Sequence, residues 1–190
     1  MRYKNQICNY FDRLKAVLDT IEIRDIDMLC TVLKDAYEKG KTIFIMGNGG
    51  SGTTSAHLAC DYNKGGCGKS KKKLKVISLA DNMPIILAIA NDLSYDKIFV
   101  EQLKNFMTPG DVVIGLSGSG NSRNVIEAVN YANDSGCVTI GLCGYDGGQL
   151  KKLCRHSVQV KINDMQIVED VHLIVGHIVM QIMDSELSSL

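Results

Sequence analysis

The sequence predicts an α/β fold: an αβα sandwich built on a five-stranded parallel sheet, with an N-terminal helical extension. Two observations carry this expectation. Five short runs are largely apolar, and segments of helical length separate them. A strand that is apolar on both faces must be covered on both faces, which is the situation of a parallel sheet sandwiched between helices. Ahead of the first run, Tyr3–Thr20 and Asp25–Gly40 carry apolar residues at helical spacing, so two helices precede any strand.

In order, Asp25 can cap the second helix and Gly40 can end it. The strand runs are "TIFIM" (Thr42–Met46), "LKVISLA" (Leu74–Ala80), "DVVIGL" (Asp111–Leu116), "VTIGLC" (Val138–Cys143) and "SVQVKI" (Ser157–Ile162). The segment Asp164–Leu187, with "QIVEDVHLIVGHIVMQIM" inside it, reads as a long amphipathic helix. No linker, repeat or low-complexity tract interrupts the chain, so residues 1–190 are expected to form one domain.

Composition narrows the function classes. Lys plus Arg and Asp plus Glu both number 21, so no general field attracts polyanions and nucleic acid is not an expected partner. The tightest basic run, "KSKKKLK" at Lys69–Lys75, reads as a solvated loop. The N-terminus "MRYKNQICNYFDRL" has charges throughout and reads as neither signal peptide nor membrane anchor, so a cytoplasmic protein with no membrane partner is expected. Seven cysteines (Cys8, Cys30, Cys60, Cys67, Cys137, Cys143 and Cys154) include no CxxC pair. That argues against a disulfide framework or a thiolate zinc site and for packing roles.

In open parallel sheets ligands sit beyond the carboxyl ends of strands, so the loops there carry the most information. After the first run comes Gly47-Asn48-Gly49-Gly50-Ser51-Gly52, and after the third Ser117-Gly118-Ser119-Gly120-Asn121-Ser122. Glycines let backbone approach an anion, a helix start supplies free N–H donors, and hydroxyls complete an oxygen shell. Both loops suit phosphate. The first matches GxGxxG, yet the following "TTSAHLACDYN" is polar where a dinucleotide-binding helix packs, and no acidic strand end falls where one is needed. Neither loop ends in GK[ST], so a nucleotide P-loop is excluded, and the lysine-free "SGSGNS" suits a single phosphomonoester. Helix capping is the alternative use of such serines, Ser122 above all.

These residues carry a resemblance. "GNGGS", "SGSGNSRNVIEAV" and "VEDVHLIVGHIVMQIMD" resemble the sugar isomerase (SIS) domain, and within it the bacterial phosphoheptose isomerases, over nearly the whole chain, "AIANDLSYDKIF" included. The resemblance implies aldose–ketose isomerisation between sedoheptulose 7-phosphate and D-glycero-D-manno-heptose 7-phosphate. It implies a homotetramer with sites between subunits, in which residues 1–40 would serve oligomerisation. It implies a phosphate cradle of Ser51, Ser117, Ser119 and Ser122, with Gly118 where the family usually has a threonine, and sugar-hydroxyl partners at Asn48 and Asp92. It implies a zinc and acid–base group at His57, Asp61, Glu169 and His177. Two of those four depart from the family, since Asp61 replaces a glutamate and Glu169 a glutamine.

The residue types fit the chemistry. Moving a proton between adjacent carbons through an enediol needs a base over the carbon, an acid or metal on the carbonyl oxygen, and exclusion of water. His57 and Asp61, at i and i+4, share one helical face. Glu169 and His177 differ by about 80° in azimuth, two turns apart, while His172 points about 60° the other way from Glu169 and reads as a partly buried or hydrogen-bonded histidine. Two carboxylates and two neutral imidazoles would balance a divalent zinc, and the substitutions leave either Asp61 or Glu169 as the base, with His177 as the further candidate. An isomerase of another phosphosugar, or a non-catalytic SIS module that binds a phosphosugar or a partner, are the alternatives.

Overall fold

The computed structural model describes residues 1–65, 70 and 72–188. Cys67, and Lys69 and Lys71 of the basic run, lie outside the described residues. The elements run α1 (Lys4–Leu18), α2 (Ile23–Lys39), β1 (Thr42–Gly47), α3 (Gly49–Gly65), β2 (Lys75–Ser78), α4 (Met83–Asp92), a 3-10 turn at Tyr95–Lys97 and α5 (Val100–Phe106). They continue with β3 (Val112–Ser117), α6 (Arg123–Asp134), β4 (Val138–Gly144), α7 (Gly148–Leu153), β5 (His156–Val160) and α8 (Met165–Ser188). The five strands are all parallel, in the order β2-β1-β3-β4-β5.

The continuous apolar runs follow from burial on two sides. In β1, Ile43 and Ile45 enter one core with α2, α3 and α8, whereas Phe44 and Met46 enter the other with α4 to α7; all four are fully buried. Removing one such side chain to alanine would cost about 2–5 kcal/mol. The edge strand β2 departs from the expectation: it is four residues long and leaves Ile77 40% exposed on one face. β5 begins one residue earlier than its apolar run and ends at Val160.

The helix ends sort into confirmed and corrected expectations. Gly40 takes the left-handed conformation, φ 66°, that closes α2. Asp25 does not cap it: Glu22 holds the cap position, and Asp25 sits in the first turn, where its charge suits the helix dipole. On α8, Asp164 Oδ1 accepts from the Gln166 and Ile167 N–H groups at 3.1 and 3.2 Å. By length and composition α8 could cross a bilayer, yet Ile167, Val168, Val171, Val175 and Val179 are its buried stripe in the core.

From β1 the chain steps outward to β2, then returns to the other side of β1 for β3. The loops after β1 and β3 therefore diverge, α3 to one face and α6 to the other. A crevice opens between them at the carboxyl edge of the sheet. Beside it, on the side of β2, lies a cleft of about 600 Å³ lined by residues of the first loop, α3, the segment after β2, α4 and the 3-10 turn, among them Asn48, Thr53, Asp81, Leu87 and Tyr95, and not by the serines that follow β3.

Candidate active site

Helices α3 and α8 both start at the carboxyl edge and run side by side. Gly176 sets their separation, because a Cβ there would collide with Leu58 Cδ2. The Tyr62 hydroxyl locks the approach by donating to the Gly176 carbonyl at 3.1 Å. The neighbours of that contact in sequence, His57 and His177, are thereby brought together, their rings tilted at 54° with centroids 5.1 Å apart.

His57 Nε2 lies 3.1 Å from His177 Nε2 and 3.2 Å from Asp61 Oδ2, and His177 Nε2 lies 3.5 Å from the same oxygen. These three edges make a nearly equilateral triangle. Ligand atoms about 2.0–2.1 Å from a tetrahedral ion are separated by about 3.3 Å, so the triangle has the dimensions of one face of such a site. The donor set, two imidazole nitrogens and a carboxylate oxygen on partly exposed side chains, fits a metal ion with a fourth position open.

Glu169 is not brought to this group. Eight helical residues rise about 12 Å, beyond what two side chains on one helix can span around a single ion. Its carboxylate lies instead over the first turn of α3, where a Cβ on Gly50 would stand 2.5 Å from Oε2. The four expected ligands are thus three within one chain, and the expected balance of two carboxylates against one divalent ion is not reached there.

The third loop lies at the carboxyl end of β3. Ser122 occupies the cap position of α6 but makes no cap bond; its hydroxyl pairs with that of Ser117 at 2.9 Å. Capping therefore does not explain it. Gly118 packs under α8, where a Cβ would collide with Met165 Sδ, so the sulfur fills the space that the family's threonine would need. Ser119 accepts from the Asn121 N–H at 3.2 Å and faces a neighbouring open depression with Tyr145, Asp146 and Lys161. Ser51 is buried in the first turn of α3. Asp92 is exposed at the end of α4 and accepts from Asn91 at 2.8 Å; it does not line the cleft, so within one chain it is not placed beside Asn48.

Three residues that the sequence reading did not single out also shape the site. Tyr95 and Asn124 bond to Asn48, and Asp81 lines the cleft. Tyr95 and Asn124 lie inside quoted motifs; their polarity was visible, their convergence was not. His172 is 1% exposed with neither ring nitrogen hydrogen-bonded, and burial pushes its pKa down to about 4. It is fully rather than partly buried, a core histidine. Burial likewise holds the Cys143 and Cys154 thiols up, at about 11 and about 12, as packing residues rather than nucleophiles.

A parallel sheet with a switch-point crevice, serine-rich loops and paired helices is the architecture of an SIS-domain protein, and residues 9–144 match the SIS domain. The chain is 34% identical over 177 residues to the phosphoheptose isomerase of Aliarcobacter butzleri, covering 93% of each. It is 37% identical over 173 residues to that of Clostridium acetobutylicum, covering 91% of this chain and 88% of the relative. The phosphoheptose isomerase GmhA from Neisseria gonorrhoeae superposes with a TM-score of 0.88 at 26% identity, over 96% of this chain and 98% of that one. The chain belongs to the phosphoheptose isomerase family.

Proposed function

We propose that this enzyme, an isomerase, interconverts D-sedoheptulose 7-phosphate and D-glycero-D-manno-heptose 7-phosphate. The observation that carries the reading is the His57–Asp61–His177 triangle one helix away from the hydroxyl loops at the switch point, in a chain whose relatives are named for this activity. The phosphate is held by Ser51, Ser117, Ser119 and Ser122, Asn48 binds a sugar oxygen, and Asp92, which is not beside Asn48 within one chain, would reach the sugar of a neighbouring copy in the assembly.

His57, Asp61 and His177 would hold one zinc ion, which supplies polarisation of the carbonyl oxygen. Mixed nitrogen and oxygen ligation without thiolates suits that ion. Asp61 is the proton-moving base on positional grounds, since its carboxylate stands at the triangle. Glu169, over Gly50, shapes the anionic end of the pocket.

Residues 1–190 act as one domain, and α1 and α2 bury their spare surface against other copies in a cytoplasmic homotetramer. In support, Tyr3, Ile7, Phe11 and Leu18 lie exposed along α1, at i, i+4, i+8 and i+15, one stripe of a helix. A monomer by light scattering at micromolar concentration would end the assembly reading. Incubating the protein with C5–C7 ketose phosphates and following aldose formation tests the activity. Turnover of the seven-carbon ester is expected, abolished by chelation and restored by zinc; equal turnover of the dephosphorylated sugar would sink the phosphate assignment.

A further inference from the structure

The side chain of Asn48 ends a hydrogen-bond relay whose polarity is set by one backbone atom. A peptide N–H can only donate, so the Val125 N–H, 2.9 Å from Asn124 Oδ1, fixes that atom as the oxygen. Asn124 is 1% exposed and meets Asn48 as a reciprocal amide pair. Asn48 Nδ2 donates to Asn124 Oδ1 at 2.9 Å, and Asn124 Nδ2 donates to Asn48 Oδ1 at 2.8 Å. From the 3-10 turn, the Tyr95 hydroxyl donates to the same Asn48 Oδ1 at 2.9 Å.

Counting sites completes the inference. An amide oxygen has two lone pairs and its nitrogen two hydrogens. Both acceptor sites of Asn48 are filled and one hydrogen is used. A single N–H remains, on a residue that lines the cleft beside Thr53 and Asp81.

We propose that Asn124 and Tyr95 are positioning residues that hold Asn48 as a donor-only group, so that at this point the cleft recognises an acceptor oxygen of the sugar. A free asparagine could turn its oxygen to a ligand hydroxyl at little cost; this one cannot. The sugar oxygen it meets is bound through a lone pair, and any hydrogen on it must be satisfied elsewhere. The inference rests on the phosphosugar reading for its ligand, but the clamp itself exists without one.

The test therefore has two readouts. In ¹⁵N-labelled protein, with the Asn48 side-chain resonances assigned from their loss in Asn48→Asp, one amide proton should exchange slowly. The other should exchange fast and shift on titration with sedoheptulose 7-phosphate. In kinetics, Tyr95→Phe, at a side chain 55% exposed and so without risk to folding, opens one lone pair of Asn48. It should raise KM about threefold, and Asn124→Ser about tenfold, with kcat within about twofold, as loss of one or two ground-state hydrogen bonds requires. Equal fast exchange of both Asn48 protons overturns the clamp, as does wild-type KM in Tyr95→Phe. If the wild-type protein fails to turn the ester over while the slow proton is present, the substrate reading falls and the clamp stands; turnover without a slow proton sinks the clamp alone.

Discussion

The two ends of the α3–α8 pair make different use of one contact between helices. At the end near the sheet edge, Gly50 lets a carboxylate, that of Glu169, lie directly on the helix start. Two turns further on, Gly176 lets two backbones close up until His57, Asp61 and His177 meet. Both ends use a glycine on one helix to admit a group from the other. One end sets a carboxylate against a helix start, and the other gathers two imidazole nitrogens and a carboxylate oxygen within 3.5 Å of one another. Such a donor set has the types and spacing that suit an ion, whereas a single carboxylate at a helix start is already stabilised by the dipole. This difference supports the proposed assignment of the base to Asp61.

Exchanging the two carboxylates for amides separates the ends most sharply. Asp61→Asn should lower kcat about 10³-fold, the scale of a lost general base, and weaken zinc retention by elemental analysis. Glu169→Gln, which restores the family's usual residue, should keep activity within about tenfold. Reversal of that order, with metal still bound in Glu169→Gln, would move the base to the other end. Solvent deuterium at C2 of the product, exchanged fully in both variants, would exclude both carboxylates and bring His177 forward.

Gly176→Ala strains the closer of the two contacts without removing a functional group. Overpacking of this kind costs about 1–3 kcal/mol, a fall in Tm of about 3–10 °C for a chain of this size. Zinc affinity should fall with it, since the two imidazoles are pushed apart. Unchanged zinc affinity at a lowered Tm would mean that the triangle does not depend on helix separation.

A third prediction uses pH. His172 is neutral in the folded protein down to about pH 4, but in the unfolded chain it takes a proton near pH 6.5. Above that value it makes no difference to stability. As pH falls from about 6.5 towards 4 the unfolded state gains the proton first, and about 3 kcal/mol should be lost, after which the dependence levels off. Denaturant titrations of the wild type and His172→Leu across this window should differ in slope by one proton; parallel curves would mean that water reaches the imidazole. This core histidine lies five residues from His177 on one helix, so azimuth alone separates the two roles.

The smallest effect belongs to Ser122→Ala. Because the hydroxyl makes no cap bond, Tm should move by less than about 2 °C rather than by the ~1 kcal/mol that a lost cap costs. KM for the phosphorylated sugar should rise several-fold. A large Tm shift with unchanged KM would return Ser122 to a capping role.

Much of this was legible in the chain. The apolar runs of β1, β3 and β4 specify buried parallel strands, because a side-chain period of two leaves no polar face to put in water. "SGSGNS" and the spacing of His57 and Asp61 specify local chemistry, since residues in one loop or one helical turn are neighbours in any fold. Within one chain Glu169 stands apart from the other three expected ligands, a separation missed because azimuth was weighed without rise: 80° apart is near, but about 12 Å apart is not. Asp25 was read as a cap although the helix begins two residues earlier, a boundary set by the turn before it rather than by propensity.

What the sequence alone determined is therefore periodic or contiguous: which segments are strands and helices, which face each buries, and which loops suit an anion. The tertiary structure alone decided which distant side chains share a point in space. His57 and His177 are separated by 120 positions and Asn48 and Asn124 by 76, and no local rule couples them. Their meeting depends on the order β2-β1-β3-β4-β5 and on how closely Gly176 lets two helices pack, and packing distance is a property of both partners at once.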